Sequence, residues 1–172
     1  MKNNYIVGDI IQALKNSDID ILVHGCNCFC GFGRGLASSI DKAFPEALKA
    51  DKKTISGDKN KLGTYSIAEV LPNRYVLNAY VQYHWIKGLN NEPKILKYGK
   101  KVPLLANYTA IDKVTKKIAN DFEKDITIGF PKIGAGYANG DWKTIENIIK
   151  QNLIEKGFNV IIYVLSEEEI IP

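Results

Sequence analysis

The stretch Leu22-Val23-His24-Gly25-Cys26-Asn27-Cys28-Phe29-Cys30-Gly31-Phe32-Gly33-Arg34-Gly35-Leu36-Ala37 decides how this chain is read. An apolar strand runs into a polar His24/Asn27 pair, and a glycine loop then opens a helix. Such a loop aims backbone N–H groups at an anion. His24 and Asn27 stand at the strand's end, where an open α/β sheet keeps its ligand crevice, so the same loop can hold a phosphate and present a titratable side chain to it. The first expectation is a phosphorylated small molecule.

All three cysteines fall in this stretch, at Cys26, Cys28 and Cys30, and alternate with His24 in the manner of a metal site. Geometry argues against that reading. Residues two apart on an extended strand are separated by about 6.5 to 7 Å, too far for four side chains to converge on one tetrahedral ion, and no second ligand cluster follows. Neither a metal nor a cofactor is expected. An odd number of closely spaced cysteines is also a poor disulfide framework, which fits a reducing compartment.

Working outward, residues 5–7 read as a short strand ending in Gly8-Asp9-Ile10, with a helical turn around 11–15 and a strand over 20–26 whose continuous apolar run suits burial on both faces. Apolar residues at Leu36, Ala37, Ile40, Ala43 and Phe44 carry a helical period up to Pro45. Residues 63–70 and 75–82 read as a hairpin across Leu71-Pro72-Asn73-Arg74. The polar insertion over 83–102 reads as a mobile loop of the kind that acts as a lid. A helix over 104–122 and a buried strand over 126–130 lead to a second glycine loop, Pro131-Lys132-Ile133-Gly134-Ala135-Gly136-Tyr137-Ala138-Asn139-Gly140. A helix from about 141 to 155, a strand over 158–165 and a tail over 166–172 complete the chain. This alternation predicts a single domain over 1–172, a three-layer α/β/α fold with a mixed central sheet.

With 172 residues, 45% of them hydrophobic, the chain can bury one sizeable core. The net charge of +4 comes largely from lysines, clustered over 49–61 and 87–101. They read as solvated surface, with weak attraction to nucleic acid or another polyanion as the alternative. No run approaches the roughly 18 apolar residues of a membrane span, and residues 1–4 lack the apolar core of a secretory signal. A cytoplasmic protein is expected, and the abundance of Lys, Asn and Ile suggests an AT-rich bacterial or phage genome.

Two glycine loops on two strand ends suggest one crevice whose walls donate N–H groups to different parts of a diphosphate. The phosphate-loop pattern of nucleotide hydrolases is absent, as is the Gly-x-Gly-x-x-Gly of dinucleotide folds. Of the two histidines, His84 reads as a satisfied structural group, whereas His24 sits beside the anion loop, where phosphate favours its charged form and burial the neutral one. Asp141 reads first as a helix N-cap and second as a catalytic candidate. Tyr137 covers a ribose or base, or fills core. Asp9 forms a turn or accepts a hydrogen bond from a base amino group.

In these residues the chain resembles a macro domain, the ADP-ribose-binding fold, from Tyr5 to Leu165. The matching pieces are Gly8-Asp9-Ile10, His24-x-x-Asn27 with Gly33-Arg34-Gly35-Leu36-Ala37, and Ile133-Gly134-Ala135-Gly136-Tyr137 ahead of Trp142. The resemblance implies that Asp9 reads the adenine amino group, that Ile10 contacts it by its backbone, and that Asn27 binds the distal ribose. Gly33, Arg34, Gly35 and Leu36 would embrace the diphosphate from one side, and Gly134, Ala135, Gly136 and Tyr137 the diphosphate and distal ribose from the other. His-x-Cys-Asn looks like the subgroup of ADP-ribose 1''-phosphate phosphatases, with His24 as acid/base or nucleophile. Residues used by other macro-domain hydrolases are replaced here by Ala37, Gln82 and Ala138. The implied partners are ADP-ribose or ADP-ribose 1''-phosphate, with ADP-ribosylated macromolecules as a second class, for a monomeric protein. The alternatives are a non-catalytic ADP-ribose reader and a hydrolase that removes ADP-ribose from protein or nucleic acid through an unfamiliar set including Asp141.

Overall fold

The computed structural model describes residues 4–86 and 92–170. In it the opening stretch is a strand, β2 (Ile21–Asn27), on which residue parity assigns each side chain to a layer. Ile21 and Val23 enter one core, and Leu22 and Cys26 the other. The continuous apolar run is therefore a strand buried on both faces, as expected.

Before it come β1 (Tyr5–Val7) and α1 (Ile10–Lys15); after it α2 (Gly35–Ala43), α3 (Pro45–Lys52), β3 (Tyr65–Leu71), β4 (Arg74–Gln82), β5 (Lys94–Lys97) and β6 (Lys100–Pro103). The chain continues through α4 (Tyr108–Asp121), β7 (Thr127–Phe130), α5 (Trp142–Asn152) and β8 (Asn159–Val164). The main sheet has six strands in the order β1-β8-β7-β2-β4-β3. All neighbours are parallel except β3, which returns antiparallel to β4. Helices α4 and α5 cover one face, with Ile111, Val114, Ile118, Ile145 and Ile149 against Leu77, Val81, Phe130 and Val160. Helices α1, α2 and α3 cover the other through Leu14, Ile40 and Ala47 against Leu22, Val76 and Tyr80. This is the expected three-layer α/β/α fold with a mixed sheet.

Three departures have physical causes. Helix α2 ends before Pro45 as expected, with Phe44 out of helical geometry (φ −143°, ψ 75°), but Pro45 then occupies the first turn of α3, where its missing N–H costs nothing, so a second helix follows at once. The segment expected as a lid holds a two-stranded hairpin, Lys94↔Pro103 to Lys97↔Lys100, and its residues 87–91 lie outside the described residues. The tail is tied down: Lys132 Nζ donates to the Glu169 carbonyl, and Ile170 packs on the α4/α5 core. Among the described residues, no helix is long and apolar enough to cross a membrane.

Candidate ligand cleft

Strands β7, β2 and β4 are parallel neighbours, so their C-terminal ends open on one side of the sheet, where such folds place ligands. There the chain forms a cleft of about 610 Å³, within the range of ligand pockets. Its walls are the end of β2 from His24 to Asn27, Gly31 and Gly33 to Ala37 of the first loop, Gln82 and Trp85 beyond β4, and Pro131 to Gly134 with Gly136 to Ala138 of the second loop. Both glycine loops thus meet in one crevice.

The first loop is shaped by Asn27. Its Oδ1 accepts from Phe29 N at 2.8 Å and its Nδ2 donates to the Gly31 carbonyl at 3.0 Å, which folds residues 27–31 back over the strand end. Helix α2 then starts on Arg34 with no side-chain cap. Asp9, Asn107 and Asp141 cap α1, α4 and α5 by accepting from Ile11, Ala110 and Thr144 N–H groups. Helix α2 therefore turns uncapped N–H groups, with the positive end of its dipole, toward the cleft that Gly35, Leu36 and Ala37 line. A Cβ built on Gly33, Gly35 or Gly136 meets no heavy atom of the described residues within 4 Å beyond its chain neighbours, so none of them occupies the space these glycines leave.

The second loop is built differently. Gly140 N donates to the Gly134 carbonyl at 2.8 Å, Asn139 N to Gly136 at 3.0 Å, and Asn139 Nδ2 to Pro103 at 2.8 Å. A Cβ on Gly140 would lie 2.7 Å from the Gly134 carbonyl oxygen. Gly134 has φ +69°, a conformation that favours glycine.

His24 lies on the cleft wall, 2% exposed, with Nε2 2.7 Å from Asn78 Oδ1 and its ring edge-on to Phe32 at 5.1 Å. Burial is the dominant influence on it and lowers its pKa from 6.5 to about 4, against the opposing pull of Asn78 and the charge of Asp51. The imidazole is neutral at physiological pH. Burial likewise pushes the Cys26 thiol well above its usual range, and its Sγ rests 3.5 Å from His24 Nε2 and 3.7 Å from Nδ1. The three thiols diverge, Cys28 toward the Gln82 carbonyl and Cys30 toward that of Asp51.

His24, Asn27, Gly33, Arg34, Gly35, Leu36, Gly134, Gly136 and Tyr137 thus converge on the cleft, while Asp9, Ile10, Ala135 and Asp141 are not among its lining residues. Ile10 is buried in the core with α2 and α3. Asp141 is exposed and caps α5, its Oδ2 accepting from Thr144 N at 2.8 Å and Oγ1 at 2.6 Å. Those bonds hold its carboxyl below the usual range, so it is ionised and poorly suited to give up a proton. Ala37, Gln82 and Ala138 all line the cleft. His84 is structural: its Nδ1 accepts from Ile86 N at 3.1 Å and its Nε2 pairs with Glu92 at 3.0 Å.

Sequence reasoning missed Trp85, Lys132 and Asn78. Trp85 falls in the stretch read as a loop, yet a large aromatic three residues beyond a buried strand is a usable signal. Asn78 interrupts the apolar run of β4, and a polar residue inside a doubly covered strand requires a partner. The lysines over 49–61 were read as solvated, but Lys61 is 6% exposed and pairs at 3.2 Å with the fully buried Asp51.

A family model described as "Macro domain" matches residues 23–149. An uncharacterized 17.5 kDa protein of Enterobacteria phage T4 is 37% identical over 149 residues, covering 84% of this chain and 86% of its own. An ADP-ribose 1''-phosphate phosphatase of Meyerozyma guilliermondii is 29% identical over 168 residues, covering 89% and 95%. A solved structure of a Bacteroides thetaiotaomicron protein of unknown function superposes with a TM-score of 0.74 at 27% identity, covering 92% of this chain and 95% of that one. With the strand order, the paired glycine loops and this match over most of its length, the chain belongs to the macro-domain family.

Proposed function

We propose that this macro domain binds ADP-ribose and hydrolyses ADP-ribose 1''-phosphate to ADP-ribose and inorganic phosphate. The observation that carries the reading is a neutral histidine on the wall of a cleft between two glycine loops, one an uncapped helix N-terminus. The name of the Meyerozyma relative points the same way. In this reading Gly33 to Leu36 and Gly134 to Tyr137 hold the diphosphate, Asn27 meets the distal ribose, and Asp9 and Ile10 receive the adenine. Backbone N–H groups then stabilise charge on the phosphoryl group as it departs.

A neutral His24 has a lone pair to offer. As base it takes a proton from water while the water oxygen bonds to phosphorus; the ester P–O bond breaks and the proton passes to the 1'' oxygen. As nucleophile a ring nitrogen bonds to phosphorus while the ester P–O bond breaks and the 1'' oxygen takes a proton from water, and the hydroxide so formed displaces the ring to give phosphate. Both routes consume one water and release one phosphate.

The test is phosphate release from ADP-ribose 1''-phosphate by the purified protein and by His24→Ala. Turnover that falls by about 100-fold or more in the variant is expected, and full turnover in the variant removes His24 from the mechanism. A second reading rests on the cleft lining, which has Ala37 and Ala138 and, among the described residues, no carboxylate: a reader that holds the ADP-ribosyl group of a modified macromolecule without cleaving it. Calorimetric binding of ADP-ribose with no phosphate release would select it.

A further inference from the structure

The cleft histidine is the first member of a buried hydrogen-bond chain whose direction can be worked out from its ends. His24, Asn78 and Ser66 are cross-strand partners on β2, β4 and β3 and face the same layer. Asn78 Nδ2 donates to the Ala47 carbonyl at 2.9 Å and to Ser66 Oγ at 2.9 Å. A carbonyl oxygen only accepts, so this end of the amide is the NH₂, and the oxygen faces His24. At 2.7 Å from that oxygen, His24 Nε2 must carry the hydrogen.

The far end agrees. Tyr80 has one hydroxyl proton, with Asp51 Oδ1 at 2.7 Å, Ser66 Oγ at 2.8 Å and the Thr54 hydroxyl also beside it. The Asp51 carboxylate, which also receives Lys61 Nζ, can only accept, so Tyr80 donates to it and Ser66 donates to Tyr80. Every bond then points one way, from the imidazole N–H through Asn78, Ser66 and Tyr80 to a buried anion. Chains aligned in this manner strengthen each member in a low-dielectric interior.

The other groups against the ring leave this arrangement intact. Cys26, on the same strand, stays a thiol and can donate weakly to a lone pair; Phe32, from the first loop, presents an apolar ring; Asp51 acts from α3 as a charge paired with Lys61.

We propose that Asn78, backed by Ser66, Tyr80 and Asp51, is a positioning residue that locks His24 as the Nε2–H tautomer, so that Nδ1 is the atom that acts on the phosphate ester. This rests on the proposed phosphatase reading for the chemistry, though not for the tautomer. It assigns a task to an asparagine buried among Val76, Leu77, Ala79 and Val81 of the same strand. The lock keeps a ring that burial holds neutral from alternating between two forms, one of which would present a hydrogen where a lone pair is needed.

The deciding measurement is a long-range ¹H–¹⁵N spectrum of the ¹⁵N-labelled protein. Its His24 ring should show the pattern of a protonated Nε2 and bare Nδ1 throughout the pH range above about 4. A protonated Nδ1, or an averaged pattern, overturns the proposal, and this arm needs no variant. In Asn78→Leu the pattern should become mixed and kcat should fall in proportion to the Nε2–H fraction that is lost, about two- to fivefold, while KM for ADP-ribose 1''-phosphate changes little. Retention of both pattern and kcat overturns it. In Asn78→Asp, which keeps an acceptor and adds charge, the Nε2–H form should persist and the acid limb of the kcat profile should move upward. An unshifted acid limb counts against the chain. A wild type that shows the Nε2–H pattern yet releases no phosphate defeats the phosphatase reading while leaving Asn78's hold on the ring. A protonated Nδ1 in an active wild type defeats the positioning role alone.

Discussion

The two glycine loops look alike in the sequence and are opposites as structures. The first is open: Gly33 and Gly35 border empty space, α2 starts without a cap, and what steadies the loop lies beneath it, in Asn27 and in Cys30 beside the buried Lys61/Asp51 pair. The second is closed on itself by backbone bonds such as Gly140 to Gly134, with Gly140 pressed against a carbonyl and Ile145. Glycine thus serves two ends here. On one wall it leaves room for a ligand, and on the other it lets the chain approach itself.

The contrast breaks most readily at the foundation of the first loop. Lys61→Ala leaves the buried Asp51 without its cation and should lower the unfolding free energy by about 3–5 kcal/mol in urea titrations; a loss near zero would show that the pair supports nothing. Next comes pH. The unfolded His24 binds its proton near 6.5 and the folded one only near 4. Stability is therefore complete above the unfolded value and falls as pH drops from about 6.5 to 4, by roughly 3 kcal/mol. His24→Asn should flatten that portion of the curve. The second loop has no such term.

Within the closed loop, Gly140→Ala should cost about 1–3 kcal/mol, because the intruding methyl meets backbone that cannot turn aside. Gly33→Ala is expected to leave stability within about 0.5 kcal/mol while weakening ADP-ribose binding about tenfold by calorimetry. A Gly33→Ala protein that melts early but binds normally would erase the distinction between the loops.

Local periodicity made much of this legible. The continuous apolar run in residues 20–26, helical spacing from Leu36 to Phe44, and a glycine loop after each of two buried strands suffice for the layers and the cleft walls, since each signal is carried by neighbours in the chain. The misses share another cause. Pro45 ends one helix, and only the packing of Ala47 beneath β3 and β4 shows that it also starts another. The hairpin Lys94–Pro103 has little apolar alternation to announce it. Lys61 reads as one more surface lysine until Asp51, ten positions away, is brought against it.

By itself, then, the sequence determined the order of the six main-sheet strands and of helices α1, α2, α4 and α5, the two glycine loops, the candidacy of His24 and the family likeness, because all of these are properties of short segments. Only the tertiary structure decided that the loops face one another across a single cleft, that Asp141 is a cap beyond that cleft, and that His24 is neutral. It also paired His24 with Asn78 across 54 residues and joined that pair to Asp51 on α3. The physical reason is that burial and hydrogen-bond direction belong to the space between segments. A strand can specify which face its histidine takes, but not which partner will hold the proton there.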